Sequence, residues 1–135
     1  MTSAQQGLLA SVYSVVAADA GLGATLAGGK VYDQVPRGAA FPFVRLGAFT
    51  TESLDSGVPP TERHRFDIQV FSRANGRAEV LAIAARLEAL LHHAALTVSG
   101  YVLTVLRLRE TTVAAGRDRR SYRARLRFEA VTEKD

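Results

Sequence analysis

An alternation of apolar and polar residues with a period of two is the feature that most constrains the fold, and it is clearest from Glu62 to Arg73. Successive side chains of an extended strand point to opposite faces of the sheet. The apolar face of this segment carries Phe66, Ile68 and Val70. Two further long strands are predicted, from Tyr101 to Val113 and from Ser121 to Val131. Because long strands follow one another through short turns, the sequence predicts antiparallel pairing.

Two prolines interrupt the stretch from residue 28 to residue 47, GGKVYDQVPRGAAFPFVRLG. Pro36 has no backbone N–H to donate to a neighbouring strand, so it is predicted to end a short strand, Lys30 to Val35. Pro42 precedes the next strand, Phe43 to Thr51. The alternation in that strand predicts one shared face for Phe43, Arg45, Gly47 and Phe49. We therefore expect a short edge strand, a break, and re-entry into the sheet.

Two segments carry apolar residues at the three- and four-residue spacings of a helix, Ala4 to Ala18 and Gly76 to His93. Ser3 is the predicted N-cap of the first, and Asp19 can cap a short second turn. A chain of 135 residues suits one domain, 1–135. The predicted fold class is α+β, a two-layer arrangement in which both main helices pack on one face of a mainly antiparallel sheet.

The sequence contains no constellation of residues that indicates catalysis, a cofactor or a metal. There is no cysteine, which excludes disulfides, thiolate metal sites and cysteine nucleophiles. Adjacent histidines on a helix, such as His92 and His93, point about 100° apart and cannot chelate as an i,i+4 pair would. No apolar run approaches the length of about 20 residues that a membrane-spanning helix needs. We therefore expect neither an enzyme nor a membrane partner.

Arginine dominates the basic residues, with fifteen arginines and two lysines among the seventeen, and the formal net charge is +4. The alternation places many of them on the sheet face away from the helices: Arg63, Arg65, Arg107, Arg109, Arg123, Arg125 and Arg127. Like charges on neighbouring strands are destabilising unless they are offset, and acidic residues can supply part of that offset: Asp67, Glu110 and Glu129. This face is predicted to meet an acidic partner, either a neighbouring subunit or DNA. A small basic nucleic-acid-binding module therefore remains an alternative function.

Several short sequence motifs spread along the chain resemble those of one known family. They are Val31-Tyr32-Asp33, Val35-Pro36, Phe41-Pro42-Phe43-Val44, Phe71-Ser72-Arg73, Gly76-Arg77-Ala78-Glu79 and Tyr122-Arg123. In this order and spacing, and with the leading helix, they are similar to the tail terminator, or tail-completion, proteins of long-tailed bacteriophages and of gene transfer agents. The resemblance covers nearly the whole chain.

The resemblance implies a structural subunit without catalysis and without a cofactor. Members of this family form a hexameric ring that ends the tail tube and joins it to the head-completion, or stopper, proteins. DNA passes through the lumen of such a ring without sequence-specific binding. The implied location is the tail of a virion or phage-like particle, assembled in the bacterial cytoplasm.

Two surfaces are expected to serve such a ring. Exposed strand edges invite pairing with another chain. The loop from Thr51 to Thr61 is long and polar, and it is expected to become ordered on contact with a neighbour or with the tube. The residues of this loop proposed for the interface are Leu54, Asp55 and Val58.

Overall fold

The computed structural model describes residues 3–26, 31–54, 61–73 and 76–135. The helices are α1 (Ala4–Ala18), α2 (Ala20–Thr25) and α3 (Ala78–Leu91). The strands are β1 (Val31–Tyr32), β2 (Phe43–Ser53), β3 (Thr61–Ser72), β4 (Tyr101–Ala115) and β5 (Tyr122–Lys134). They form one sheet in the order β1-β2-β3-β5-β4. All pairs are antiparallel except β1 with β2, so the predicted α+β class with a mainly antiparallel sheet is confirmed.

The apolar core lies between the helices and one face of the sheet. On the sheet side it is built from the alternating apolar residues of four strands: Val44, Leu46, Phe66, Ile68, Val70, Leu106, Ala124, Leu126 and Phe128. On the helix side it contains the apolar stripes of α1 and α3: Leu8, Val12, Val16, Val80, Ile83, Leu87 and Leu91. Full burial of one such aliphatic or aromatic side chain contributes about 1.5–3 kcal/mol. This burial fixes which face of the sheet is left for other contacts.

The ends of the helices are fixed by side chains close in sequence. Ser3 and Gln6 form a capping box at the start of α1, as the N-cap prediction required. Asp19 ends α1 and caps α2 by accepting from the backbone N–H of Leu22. Arg86 of α3 donates to both carboxylate oxygens of Asp19, and this contact, with the Leu22 N–H, lowers the pKa of Asp19 to about 2. All three helices are thus tied together at Asp19.

A β-bulge in β2 overturns the predicted facing of Phe49. Leu46 pairs with Ile68, whereas the next pair along the ladder is Phe49 with Phe66. Between these two pairs, β2 therefore contains one residue more than β3. The extra residue reverses the facing of all that follow it. Phe49 therefore lies on the core side, where its ring stacks on Phe66 at 5.2 Å and that ring stacks on Phe128 at 5.3 Å.

The proline-interrupted stretch forms an edge, but the strand is shorter than predicted. Only Val31–Tyr32 pairs, in parallel with β2, and Lys30 lies outside the described residues. The chain leaves the sheet before Pro36 and returns at Phe43, as the two prolines predicted. The edge is held by ring contacts of Phe43 with Tyr32 at 5.9 Å and with Phe71 at 4.9 Å.

Candidate interaction surface

The sheet face away from the helices carries the predicted arginines. We call the six that lie beside carboxylates the arginine face: Arg63, Arg65, Arg107, Arg109, Arg125 and Arg127. Its layout follows from the strand register. Glu129 of β5 pairs with Arg65 of β3 on one side and with Arg107 of β4 on the other. Carboxylates of the same face therefore stand directly beside guanidinium groups on neighbouring strands.

Glu129 is the centre of this arrangement, and its side chain is only 6% exposed. Its Oε2 accepts from Arg107 Nη2 at 2.9 Å and from Arg109 Nη1 at 2.6 Å. Its Oε1 lies 2.9 Å from Arg63 Nε. The hydrogen bond from Arg107, followed by that from Arg109, lowers the pKa of the Glu129 carboxyl even though burial acts in the opposite direction. One buried carboxylate thus holds three arginines from two strands.

Three further carboxylates neutralise the remaining arginines of the face. Arg125 donates to the buried Asp67, and Arg127 lies 3.3 Å from Glu110. Glu52 Oε1 lies 3.0 Å from Arg63 Nη1 and 3.5 Å from Arg65 Nη1. An open groove of about 370 Å³ runs between these side chains. The expected offset by acidic residues is therefore present within the chain, and it is more complete than the sequence suggested.

The close packing of Asp67 explains the glycine in the β2 bulge. A Cβ on Gly47 would lie 2.1 Å from Asp67 Oδ1 and 3.1 Å from the Asp67 backbone oxygen. Such a distance is far inside van der Waals contact, so no side chain fits at position 47 unless the Asp67 carboxylate moves. The bulge and the Asp67–Arg125 pair are therefore one structural unit.

The other predicted interface residues do not join the arginine face. Arg123 lies on the same face of β5 as Arg125 and Arg127, as predicted, but it is exposed near the start of the strand, opposite Phe71 and Ala114, and it forms no ion pair with any described residue. Leu54 is half-buried, and its backbone N–H donates to the Thr61 oxygen at 2.9 Å, which closes the β2–β3 ladder. Asp55 and Val58 lie outside the described residues.

Sequence reasoning missed a second arginine cluster in the turn between β4 and β5. The turn was predicted, but its three exposed arginines were not selected: Arg117, Arg119 and Arg120. Asp118 shapes it, because Asp118 Oδ1 accepts from the Arg120 and Ser121 backbone N–H groups, both at 3.0 Å, and from Ser121 Oγ at 2.8 Å. These contacts lower the pKa of the Asp118 carboxyl, with the Arg120 N–H first. A signal was available in the sequence, since RDRR places three like charges in four turn residues.

The histidines have structural environments that differ from one another. His64 is fully buried on the core side, where Nδ1 shares a hydrogen bond with Thr51 Oγ1 and Nε2 with Thr132 Oγ1, both 2.8 Å long. Burial lowers the pKa of His64. His92 Nδ1 accepts from the Leu108 backbone N–H at 2.9 Å, and the His93 N–H donates to the Leu106 oxygen at 2.8 Å. His92 and His93 therefore cover the middle of the outer edge of β4.

Within the described ranges, no three His, Asp or Glu side chains converge as metal ligands do. No helix in the described part of the chain is long and apolar enough to cross a membrane. The groove on the arginine face is lined by paired charges, and we find there no nucleophile held beside a base.

Comparisons with known proteins give the family. The family profile described as tail completion protein gp17 matches residues 10–133. A chain of a solved structure, the virion of a native gene transfer agent particle, is 31% identical with a TM-score of 0.85, and the match covers 93% of this chain and 94% of that chain. No curated protein matches. The predicted resemblance is confirmed, as is a location in the tail of a phage-like particle. The chain therefore belongs to the family of tail completion protein gp17, a family of structural virion proteins.

Proposed function

We propose that this protein is the subunit of a ring that ends the tail tube and joins it to the head-completion proteins, and that it acts without catalysis. The observation that carries the proposal is the match over nearly the full length of both chains to a component of an assembled gene transfer agent particle. A match of that extent leaves little of the chain for a separate activity. The role of the protein is then to present surfaces to its neighbours.

The geometry supports a unit that is rigid before it assembles. The helices are joined through Asp19 and Arg86, and the sheet is stiffened on its outer face by ion pairs centred on Glu129. Interfaces between preorganised surfaces lose less conformational entropy on association. A subunit that repeats around a ring benefits from this, because every interface in the ring is the same.

A deletion of the gene in the particle-producing host tests the proposal. We expect filled heads and tails to accumulate separately, with tails of irregular length, and expression of the intact chain from a plasmid should restore joined particles. Negative-stain electron microscopy counts the three classes. Normal yields of joined particles in the deletion strain would contradict the proposed role.

A further inference from the structure

The two ends of the sheet carry opposite charge. The end that holds the β4–β5 turn, which we call the hairpin end, has six arginines against two carboxylates, Glu79 and Asp118. The arginines are Arg73, Arg77, Arg117, Arg119, Arg120 and Arg123. The strand register places them together, because Tyr122 pairs with Ser72 of β3 and with Ala115 of β4.

The opposite end of the sheet, which we call the acidic end, has three carboxylates against Lys134: Glu62, Glu133 and Asp135. Here too the register defines the group. Glu133 pairs with Thr61 and with Val102, and the Asp135 N–H donates to the Gly100 oxygen at 3.1 Å. None of the three carboxylates forms an ion pair with a residue in the described ranges.

Two arginines of the hairpin end are held by contacts with neighbouring side chains, but the group as a whole is little neutralised. Arg73 lies 3.6 Å from Asp118 and 4.3 Å above the Phe41 ring, and Arg77 lies 5.2 Å above the Tyr122 ring. The remaining arginines form no ion pair with any described residue: Arg117, Arg119, Arg120 and Arg123. Exposed like charges in one place repel each other, and a bound anionic partner removes that cost.

We propose that the hairpin end of one subunit binds the acidic end of a second copy, so that the charge polarity of the sheet directs the assembly of the ring. This inference rests on the proposed ring function. Two arguments favour a second copy. Both complementary surfaces are present on this chain, and an interface between two different patches is head-to-tail, the type that closes into rings. Phe41 and Tyr122 at the hairpin end each have an arginine over one face of the ring, which leaves less aromatic surface for stacking on nucleic-acid bases.

Charge reversal tests this directly. The hairpin-end variant, Arg117→Glu/Arg119→Glu/Arg120→Glu, takes the charge of the named side chains at that end from +4 to −2, so both ends are acidic. The acidic-end variant, Glu133→Arg/Asp135→Arg, takes the charge at the acidic end from −2 to +2, so both ends are basic. We expect either variant alone to lower the yield of joined particles about tenfold or more, because like charges then meet at every interface. Arg37→Glu/Arg45→Glu is the control, since it reverses exposed arginines that belong to neither charged group, and it should leave the yield unchanged. Circular dichroism melting of each purified variant verifies that it is folded.

Rescue identifies the partner. The combined variant, which carries all five substitutions, restores opposite charges at each interface with their positions exchanged. Co-expression of the hairpin-end variant with the acidic-end variant allows the two to alternate around a ring with an even number of subunits. We expect both to recover joined particles. Wild-type yields from both the hairpin-end and the acidic-end variant, or loss in the hairpin-end variant without rescue in the combined variant, would overturn the inference. If the hairpin-end variant lowers the yield without rescue and also loses the binding of duplex DNA at low salt, the anion bound by the hairpin end is phosphate. If the wild-type chain proves to be absent from the head–tail junction, the proposed function itself fails, and that result is distinct from either of these.

Discussion

The arginine face and the hairpin end are built from the same residue type, yet their charges are balanced in different ways. On the arginine face, six arginines lie beside four carboxylates, and Glu129 alone contacts three of them. At the hairpin end, Arg117, Arg119 and Arg120 surround one carboxylate that is already engaged with backbone N–H groups. A paired face must exchange existing contacts in order to take an acidic partner, whereas the hairpin end gains new ones.

The comparison teaches that the number of arginines on a surface says little about its role. Arginines paired with carboxylates on a sheet stabilise the subunit, because a shared carboxylate offsets the repulsion between neighbouring guanidinium groups. Arginines without carboxylate partners contribute little to the stability of the subunit and are available for assembly. Variants that separate stability from assembly therefore distinguish the two regions.

The largest effect on stability is expected for Glu129→Ala. Removal of the Glu129 carboxylate leaves three guanidinium groups close together without their buried counter-charge. We therefore expect the free energy of unfolding to fall by about 3 kcal/mol. Urea denaturation followed by circular dichroism measures it. Glu110→Ala is the control, because the Glu110–Arg127 pair is exposed and should cost no more than about 0.5 kcal/mol. Equal losses in the two variants would show that the Glu129 cluster has no special importance.

Gly47→Ala tests the second carboxylate of the arginine face. The new methyl group must displace Asp67 from its pair with Arg125, and we expect a loss of about 2 kcal/mol, as for overpacking of a well-packed interior. In α2, Gly23 has open space around its Cβ position. Gly23→Ala should therefore stabilise the protein, by about 0.5 kcal/mol. If Gly47→Ala melts at the wild-type temperature, the packing of Asp67 against the bulge is not as tight as described.

The pH dependence of stability should separate the core side of the sheet from its outer side. Burial lowers the pKa of His64 below 6.5, so as the pH falls below 6.5 the unfolded chain binds a proton that the folded chain does not. Stability is therefore full above pH 6.5 and declines below it, by at most about 1.4 kcal/mol per pH unit. The lowered pKa values of Glu129 and Asp118 act only at lower pH, because their contribution is present above about 4.5 and is lost in more acidic solution.

Urea titrations between pH 7.5 and pH 5 measure this decline. His64→Gln, which keeps polar atoms beside Thr51 and Thr132, should remove most of the pH dependence in that range. A wild-type protein whose stability is constant from pH 7.5 to pH 5 would contradict the assignment of a buried neutral histidine.

The smallest effect is expected at the hairpin end. Arg117→Ala/Arg120→Ala removes two exposed side chains that make no ion pair with described residues, so the free energy of unfolding should change by no more than about 0.5 kcal/mol. The backbone hydrogen bonds to Asp118 are unaffected by these substitutions. Thermal melting measures this change. A large destabilisation would show that Arg117 and Arg120 stabilise the subunit as the arginine face does, which would contradict the comparison.

Much of the fold could be predicted because burial on one side leaves a period-two pattern in the sequence. The predicted strand Glu62 to Arg73 differs from β3 by one residue at each end. Phe49 was misplaced because a bulge changes the facing of a strand without changing its composition. Gly47 in the bulge packs against Asp67, which follows it by twenty residues and reaches it only through the β2–β3 pairing.

The candidate surfaces were harder to predict, because partners distant in sequence decide them. Arg107 and Glu129 are 22 residues apart, and His64 and Thr132 are 68 apart. Alternation assigned the arginines to the outer face, but only the register shows which of them are neutralised. The turn arginines were overlooked since a charged turn is expected to be solvated, whatever its function.

Cryo-electron microscopy of complete particles tests the central claim most directly. Masked reconstruction of the head–tail junction should show this chain as a closed ring at the end of the tail tube, with the hairpin end of each subunit against the acidic end of the next. A junction reconstructed at side-chain resolution in which this fold does not occur would contradict the account.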